Sequence, residues 1–109
     1  MLIAVAGRYS APTSEERRTN LAAMNKAAAE VMRLGHIPII GVNLALPVVE
    51  MLGEGDRYEA IMAISLGAVE RCDALLLLSE SPGANRERDL MLSLNRPVYT
   101  DLEQIPPAR

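Results

Sequence analysis

Aromatic residues are scarce in this sequence, which contains no phenylalanine, no tryptophan and only three tyrosines. Proteins that bind single-stranded nucleic acids stack the bases on aromatic side chains, and this chain has few of them. Its formal net charge of −3 shows that it also lacks the excess of Lys and Arg that a nucleic-acid or anionic-membrane surface requires. We therefore expect neither a nucleic-acid polymer nor a membrane as a partner.

Cysteine and histidine occur once each, as Cys72 and His36. A single cysteine cannot form an internal disulfide, and together with one histidine it provides no cluster of metal ligands. The apolar opening Met1–Ala6 is too short for a signal peptide or a membrane span. These features predict a cytoplasmic protein that needs no metal and no cofactor, with Cys72 as a core thiol and His36 in a structural role.

The 109 residues, half of them hydrophobic, predict a single domain over residues 1–109. A domain of this size buries only a modest core, and a deep ligand cleft removes part of it. Contacts between subunits would compensate for the lost burial, so we expect a homo-oligomer.

Apolar runs alternate with helical patterns along the whole chain. Two of the runs are continuous, as in strands buried on both faces of a parallel sheet. Strands are predicted at Leu2–Ala6, His36–Val42, Ala74–Leu78 and Pro97–Thr100, and helices from Thr13 to about Leu34, at Arg57–Cys72 and at Ser81–Leu94. The segment Asn43–Asp56, interrupted by one proline and two glycines, is predicted as a long loop, within which Val48–Leu52 could form a short helix.

This alternation predicts an α/β fold, namely a flavodoxin-like or Rossmann-like three-layer sandwich with a parallel sheet of about four strands in the order 2-1-3-4. Ligands of such sheets bind beyond the carboxyl ends of the strands, where the strand order reverses. That point lies between the first and third strands. The loops Gly7–Pro12 and Ser79–Asn85 should therefore face each other across one crevice.

The third helix begins with the most informative segment of the chain, Ser81-Pro82-Gly83-Ala84-Asn85-Arg86-Glu87. Gly83 and Ala84 would present free backbone amides at a helix N-terminus, where the helix dipole favours an anion. Gly83 also lacks a Cβ, so a ligand can approach the backbone closely. The segment therefore predicts a place for an anionic group.

Glu87 starts a helical spacing that continues with Leu90, Met91 and Leu94, so a carboxylate leads a stripe that faces the core. A carboxylate turned inward at the ligand edge of a sheet is a functional candidate. A structural explanation fits the pattern equally well. In that explanation Glu87 only complements the helix dipole or pairs with Arg8 or Arg86.

The run Ser81-x-Gly83-Ala84-x-x-Glu87, followed by Asn95-Arg96-Pro97-Val98, resembles the signature of the nucleoside 2-deoxyribosyltransferase-like superfamily. The opening Ile3–Ser10 is similar to the first strand and glycine-containing loop of that superfamily. Shorter matches, similar to small bacterial relatives, extend the resemblance over nearly the whole chain: Asn20, Leu34-Gly35, Cys72-Asp73 and Leu102–Pro106.

The resemblance implies a deoxyribosyltransferase or an N-glycosidase that acts on a nucleoside or a nucleoside 5′-monophosphate. Glu87 matches the nucleophilic glutamate that attacks C1′ of the sugar. Ser81 matches a position that contacts the sugar or a 5′-phosphate, and Gly83 and Ala84 would supply amides to that phosphate. The base and sugar side would be lined by Gly7, Arg8, Tyr9 and Ser10, with Tyr9 as a lid over the base.

One departure from the superfamily pattern falls on Ser65, where the relatives carry an aspartate that handles protons or binds substrate. Ser65 could hold a water or a hydroxyl group, but it cannot shuttle a proton as a carboxylate does. Either another residue substitutes, from this or a neighbouring subunit, or the activity is altered or lost. Tyr58, on the same predicted helix, could reach the crevice of its own or a neighbouring subunit.

Two alternatives to an enzyme therefore stay open. The chain could be a catalytically silent module that binds a nucleotide or a sugar phosphate in the same crevice. It could also be a purely structural, oligomer-forming protein, although that leaves the inward Glu87 without an explanation.

Overall fold

Four strands form one parallel sheet whose spatial order is 2-1-3-4. In the computed structural model, which describes residues 1–108, the strands are β1 (Leu2–Ala6), β2 (Ile37–Ile39), β3 (Ala74–Leu77) and β4 (Val98–Tyr99). The helices are α1 (Ser14–Arg33), α2 (Gly41–Leu52), α3 (Arg57–Val69) and α4 (Pro82–Ser93), and a 3-10 turn follows at Leu102–Gln104. The predicted parallel α/β fold and its strand order are confirmed.

The two central strands, β1 and β3, are the most apolar segments of the sheet. They pair in parallel from Ile3 opposite Ala74 to Ala6 opposite Leu77, and nearly all their side chains are buried. A strand covered on both faces needs a continuous apolar run, which both sequences provide. Because the paired register ends at Ala6 and Leu77, the loops that follow leave the sheet side by side.

Helices cover both faces of the sheet. On one face, α1 contributes Met24 and Val31 to a cluster with Ile3 and Leu76. On the opposite face, Val69 of α3 and Met91 of α4 pack with residues of the same two strands. The domain therefore has three layers, and the sheet lies in the middle.

The capping signals read from the sequence produce the expected helix starts. The Oγ of Thr13 accepts the backbone N–H of Glu16 at 3.1 Å, and Thr13 donates its hydroxyl to Glu16 Oε1 at 3.0 Å. Together these two bonds satisfy an otherwise unpaired amide and fix the first turn of α1. At the other end of that helix, Gly35 adopts a φ of 91°, which favours glycine and terminates the helix.

The loop predicted over Asn43–Asp56 is wrong, because most of this segment forms α2. Pro47 lies inside the helix and removes one backbone hydrogen bond, which normally disfavours a helix. The helix persists because Ala45 and Val49 are buried, so tertiary packing outweighs the local cost. The predicted second strand was too long for the same reason, since Gly41 and Val42 belong to α2.

Helices α2 and α3 come into close contact where Gly41 meets Ser65. A Cβ placed on Gly41 would lie 2.9 Å from both the Cβ and the Oγ of Ser65. Such contacts are too short for real carbon atoms, so only glycine fits at this crossing. Gly67, by contrast, faces open space.

No helix formed by residues 1–108 combines the length and the apolar character needed to cross a membrane.

We expect Gly41→Ala to lower the free energy of unfolding by about 1–3 kcal/mol, because the new methyl group overpacks the α2–α3 crossing. Gly67→Ala is the matched control. It should raise the free energy of unfolding by up to about 1 kcal/mol, since alanine favours a helix and meets no neighbour there. Urea unfolding of both variants measures the contrast, and equal effects of the two substitutions would contradict the close approach.

Candidate functional site

A cavity of about 650 Å³ opens at the carboxyl ends of β1 and β3, where the strand order reverses. Its volume is within the range of small-molecule sites. All nine residues expected at the site from the sequence line this one cavity, together with further residues of α2, α3 and α4. The walls are formed by Gly7, Arg8, Tyr9, Ser10, Val42, Tyr58, Ile61, Met62, Ser65, Glu80, Ser81, Pro82, Gly83, Ala84, Asn85 and Glu87.

The loops after β1 and β3 are joined directly beside the cavity. The backbone N–H of Arg8 donates to Ser79 Oγ at 2.8 Å, and that of Leu78 donates to the carbonyl of Ala6 at 2.8 Å. A Cβ on Gly7 would come within 3.2 Å of the same Ser79 oxygen. The absence of a side chain at Gly7 therefore lets the two loops close on each other.

Glu87 lies in the second turn of α4 and is only 9% exposed. Within residues 1–108 its carboxylate forms no hydrogen bond and no ion pair. Desolvation by the surrounding apolar residues raises the pKa of this carboxyl from 4.5 to about 7. Near neutral pH the group is therefore divided between a protonated and an ionised form, which suits both proton transfer and nucleophilic attack.

The interpretation that Glu87 only pairs with a neighbouring arginine is wrong. The Nη1 of Arg86 lies 3.0 Å from Glu59 Oε2, and its guanidinium carbon lies 5.7 Å from the centre of the Tyr58 ring. Within residues 1–108, Arg8 forms no ion pair with Glu87 either. Placing an unpaired carboxyl inside a protein is costly, and none of the described contacts compensates for it.

The start of α4 offers fewer free amides than expected. The N–H of Ala84 donates to Ser81 Oγ at 3.1 Å, and that of Asn85 donates to the Ser81 carbonyl at 2.8 Å. Pro82 has no N–H to offer. The prediction that Ala84 presents a free amide is therefore wrong, because the Ser81 cap already uses that amide. Counting the described residues as partners, the Gly83 amide alone stays unpaired in this turn.

Gly83 has a structural role beside the one expected. A Cβ at this position would lie 3.1 Å from the Sδ of Met62 and 3.9 Å from a ring carbon of Tyr58. Glycine therefore lets α4 pack tightly against α3. The same close packing brings Tyr58 of this chain to the cavity wall, where Tyr9 also lies.

Asn85 is a site residue that the sequence did not reveal. Its Oδ1 atom is buried beside the cavity and, among the described residues, has no hydrogen-bond partner. A buried oxygen left without a donor costs about 1–3 kcal/mol. No periodicity or spacing marks this asparagine, since its environment depends on the tertiary packing of α4. Val42 was missed because its segment was not recognised as helical.

Ser65 is the residue at which the sequence departs from the pattern of the superfamily that it resembles. It is 2% exposed and lines the cavity from α3, where Gly41 packs against it. Among the residues that line the cavity, the only carboxylates are Glu80 and Glu87. Unlike the buried Glu87, Glu80 is exposed and forms an ion pair, with 3.3 Å between its Oε1 and the Nη1 of Arg88.

The other reactive residue types lie away from the cavity. His36 is buried, with Nδ1 at 2.8 Å from the N-terminal amine and Nε2 at 2.7 Å from the Pro106 carbonyl oxygen. Burial, and to a lesser extent Asp73, raise the pKa of the Cys72 thiol to about 11, so the thiol is inert at neutral pH. Asp73 accepts the N–H of Leu2 at 2.8 Å and thereby holds the start of β1. Within residues 1–108 no group of three potential metal ligands occurs.

The sheet, the cavity at its reversal point and the unpaired carboxyl define an α/β domain with a candidate site for a small molecule. The chain belongs to a protein family described as "Domain of unknown function (DUF4406)", whose model matches residues 5–100. A search of curated proteins finds no match to the chain.

Replacement of Glu87 by glutamine should stabilise the protein in a pH-dependent manner. Below pH 4.5 the carboxyl is protonated in both the folded and the unfolded state, so its ionisation has no effect there. Between pH 4.5 and about 7 the unfolded chain ionises first, and the wild type loses about 3 kcal/mol of stability over this range. Glu87→Gln lacks this loss. In urea unfolding, the free energy of unfolding of Glu87→Gln relative to wild type should be higher at pH 8 than at pH 4 by about 3 kcal/mol.

The control for this measurement is Glu80→Gln, which removes an exposed carboxylate from the same cavity wall. Its stability relative to wild type should change little between the two pH values. A Glu87→Gln profile that runs parallel to the wild-type profile would contradict the raised pKa.

Proposed function

We propose that this protein is an N-glycosidase or deoxyribosyltransferase-like enzyme of the nucleoside 2-deoxyribosyltransferase-like superfamily, and that it acts on a nucleoside or a nucleoside 5′-monophosphate. The observation that carries the proposal is the buried, unpaired Glu87 carboxyl in a cavity of nucleotide size. The resemblance of the Ser81–Glu87 run to the superfamily signature supports the same assignment.

Glu87 acts as the nucleophile. One carboxylate oxygen forms a bond to C1′ of the sugar while the bond between C1′ and the base nitrogen breaks, and the base leaves with the electron pair and takes up a proton. The product is a glycosyl ester on Glu87, which water opens in hydrolysis or a second base opens in transfer. A negative group beside C1′ also stabilises the oxocarbenium-like transition state.

The remaining cavity residues bind and orient the substrate. Ser81 and the unpaired Gly83 amide, at the start of α4, contact the sugar hydroxyls or a 5′-phosphate. Tyr9 and Tyr58 provide the aromatic surface for the base. Gly7, Arg8 and Ser10 complete the wall beside the base and sugar. The proposed chemistry requires neither a metal nor a redox cofactor.

The proton that the leaving base needs has no evident carboxylic donor. Ser65 replaces the aspartate of the related enzymes, and general acid–base assistance is commonly worth about 10²- to 10⁴-fold in rate. We therefore expect slow turnover. Ser65 also favours the second candidate function, a silent module that binds a nucleotide or a sugar phosphate without cleaving it.

The proposed enzyme is a homo-oligomer whose site is completed by a neighbouring subunit. One face of α2 exposes a stripe of large apolar side chains, and such patches commonly mark protein contacts. Met51 is 86% exposed, and its neighbours on this face are about half exposed. The stripe consists of Leu44, Val48, Met51 and Leu52. Val42, near the start of the same helix, lines the cavity, and we propose that a second copy bound to the stripe extends to that wall.

Purified protein should release free base from at least one member of a panel of deoxynucleosides and their 5′-monophosphates, followed by chromatography. Glu87→Gln should abolish release, and Glu80→Gln should retain it, because Glu80 is exposed and paired. The wild-type rate should rise with pH and level off above about pH 7, since attack needs the ionised carboxylate.

The panel also separates the candidate functions. Ligand-induced increases in melting temperature without base release would favour the silent binding module. An absence of both base release and thermal shifts would leave only a structural role, and would remove the proposed function.

Met51→Glu should convert the oligomer to a monomer, because a charge placed in the apolar stripe of α2 opposes its burial. Light scattering coupled to gel filtration measures the mass. The matched control is Glu50→Gln, a surface change on the same helix beside the stripe, which should leave the mass unchanged. A wild-type protein that is monomeric at high concentration would contradict the assembly.

A further inference from the structure

A second hollow of about 380 Å³ adjoins the main cavity. Tyr9, Ser10, Tyr58 and Ile61 line both spaces, so the two lie side by side at the pair of tyrosines. The remaining walls include Arg17, from the first turns of α1, and Arg57, the first residue of α3. We refer to this hollow as the arginine chamber.

The main cavity and the arginine chamber differ in the charges of the residues that line them. In the part of the chain that the structure describes, Arg17 and Arg57 are the only charged residues that line the arginine chamber. The main cavity contains two carboxyl groups, Glu80 and Glu87, and one arginine, Arg8. A ligand with an anionic group is therefore repelled near Glu87 and attracted to the chamber.

Neither arginine of the chamber is neutralised by a close, buried partner. Arg17 Nη1 donates to the Ala11 carbonyl at 2.8 Å, and this bond holds the side chain without cancelling its charge. The only carboxylate paired with Arg57 in residues 1–108 is Glu50, at 3.4 Å, and both side chains of that pair are largely exposed to solvent. Exposed pairs of this kind contribute little energy, so both guanidinium groups can still bind an oxyanion through their other N–H donors.

The start of α4 is a weaker competitor for the same anion. It offers the Gly83 amide and the Ser81 hydroxyl, whereas the Ala84 amide is occupied by the cap. Glu87 also lines the cavity beside this turn and opposes a second negative charge. A pair of guanidinium groups without a carboxylate on the same wall provides stronger, charge-assisted hydrogen bonds.

We infer that the arginine chamber is an oxyanion subsite, in which Arg17 and Arg57 bind a phosphate or carboxylate group carried by the ligand of the main cavity. This inference rests on the proposed function for the identity of that ligand, but not for the binding of the anion itself. The subsite makes an anionic substrate preferred over a neutral nucleoside. The anion lies past Tyr9 and Tyr58, away from the reacting carbon at Glu87.

The first test uses inorganic phosphate and pyrophosphate as probes, titrated at constant ionic strength and followed by thermal shift and calorimetry. Wild type should bind pyrophosphate, and Arg17→Gln and Arg57→Gln should each weaken binding by about tenfold or more. Arg18→Gln is the matched control, because Arg18 is the exposed neighbour of Arg17 and does not line the chamber. Arg57→Gln keeps the test decisive if Arg17→Gln disturbs the loop at Ala11.

Loss of pyrophosphate binding in Ser81→Ala, with full binding in both chamber variants, would place the anion at α4 and overturn the inference. An absence of anion binding to the wild type would also overturn it. Equal weakening by Arg18→Gln would indicate general surface charge and would have the same consequence.

The second test compares binding of thymidine, its 5′-monophosphate and 5-carboxy-2′-deoxyuridine to the catalytically impaired Glu87→Gln protein with and without the chamber substitutions. A selective loss for the monophosphate identifies the anion as the sugar phosphate, and a selective loss for the carboxylated nucleoside identifies it as a substituent of the base. An equal loss for all three ligands contradicts an anion subsite. Base release is measured separately, so failure of the glycosidase proposal and failure of the subsite are distinguishable.

Discussion

The pairing of β1 with β3 is the constraint on which the rest of the molecule depends. The two strands are almost entirely buried and end in register at Ala6 and Leu77. The loops that follow are then tied by the bond from the Arg8 amide to Ser79 Oγ. Since helices α1 and α4 begin a few residues later, this one register sets where Arg17 and Glu87 lie. A shift by one residue would exchange the faces of the strand and dismantle both cavities.

The cavity is lined by buried polar groups whose burial is energetically unfavourable. Among the residues that the structure describes, Glu87 is buried without a partner and Asn85 Oδ1 is buried without a donor. Burial of aliphatic side chains on both faces of the sheet stabilises the fold and compensates for these unfavourable groups. Unsatisfied polar groups that cluster in one cavity are typical of a site kept for binding or chemistry.

The sequence predicts the elements that depend on local pattern and is less successful where tertiary packing decides. Continuous apolar runs identified β1 and β3, and the caps at Thr13 and Ser81 fixed two helix starts. For most of α2 the sequence predicts a loop, with a short helix as an alternative only at Val48–Leu52, because Pro47 and Gly53 disfavour a helix locally. Burial of Ala45 and Val49 stabilises the full helix in the folded chain. The topology brought the expected site residues into one cavity, since loops at one sheet edge must converge.

What the sequence could not reveal is the bonding state of individual atoms. The Ala84 amide was expected to be free, yet the serine cap that marks the helix start is the group that occupies it. The isolation of Glu87 also depends on Arg86 turning instead toward Glu59 and Tyr58. Both outcomes follow from three-dimensional competition for partners, which spacing along the chain does not encode.

The close contact between α2 and α3 couples two positions of the chain, Gly41 and Ser65. Since a Cβ at position 41 would collide with Ser65, substitutions at 41 and 65 are expected to be strongly non-additive, and each position limits the side chains that the other can acquire. A larger side chain at position 65, such as a carboxylate, is then accommodated only while position 41 is glycine. The groups that this wall of the cavity can carry at position 65 are therefore limited by a packing contact between two helices.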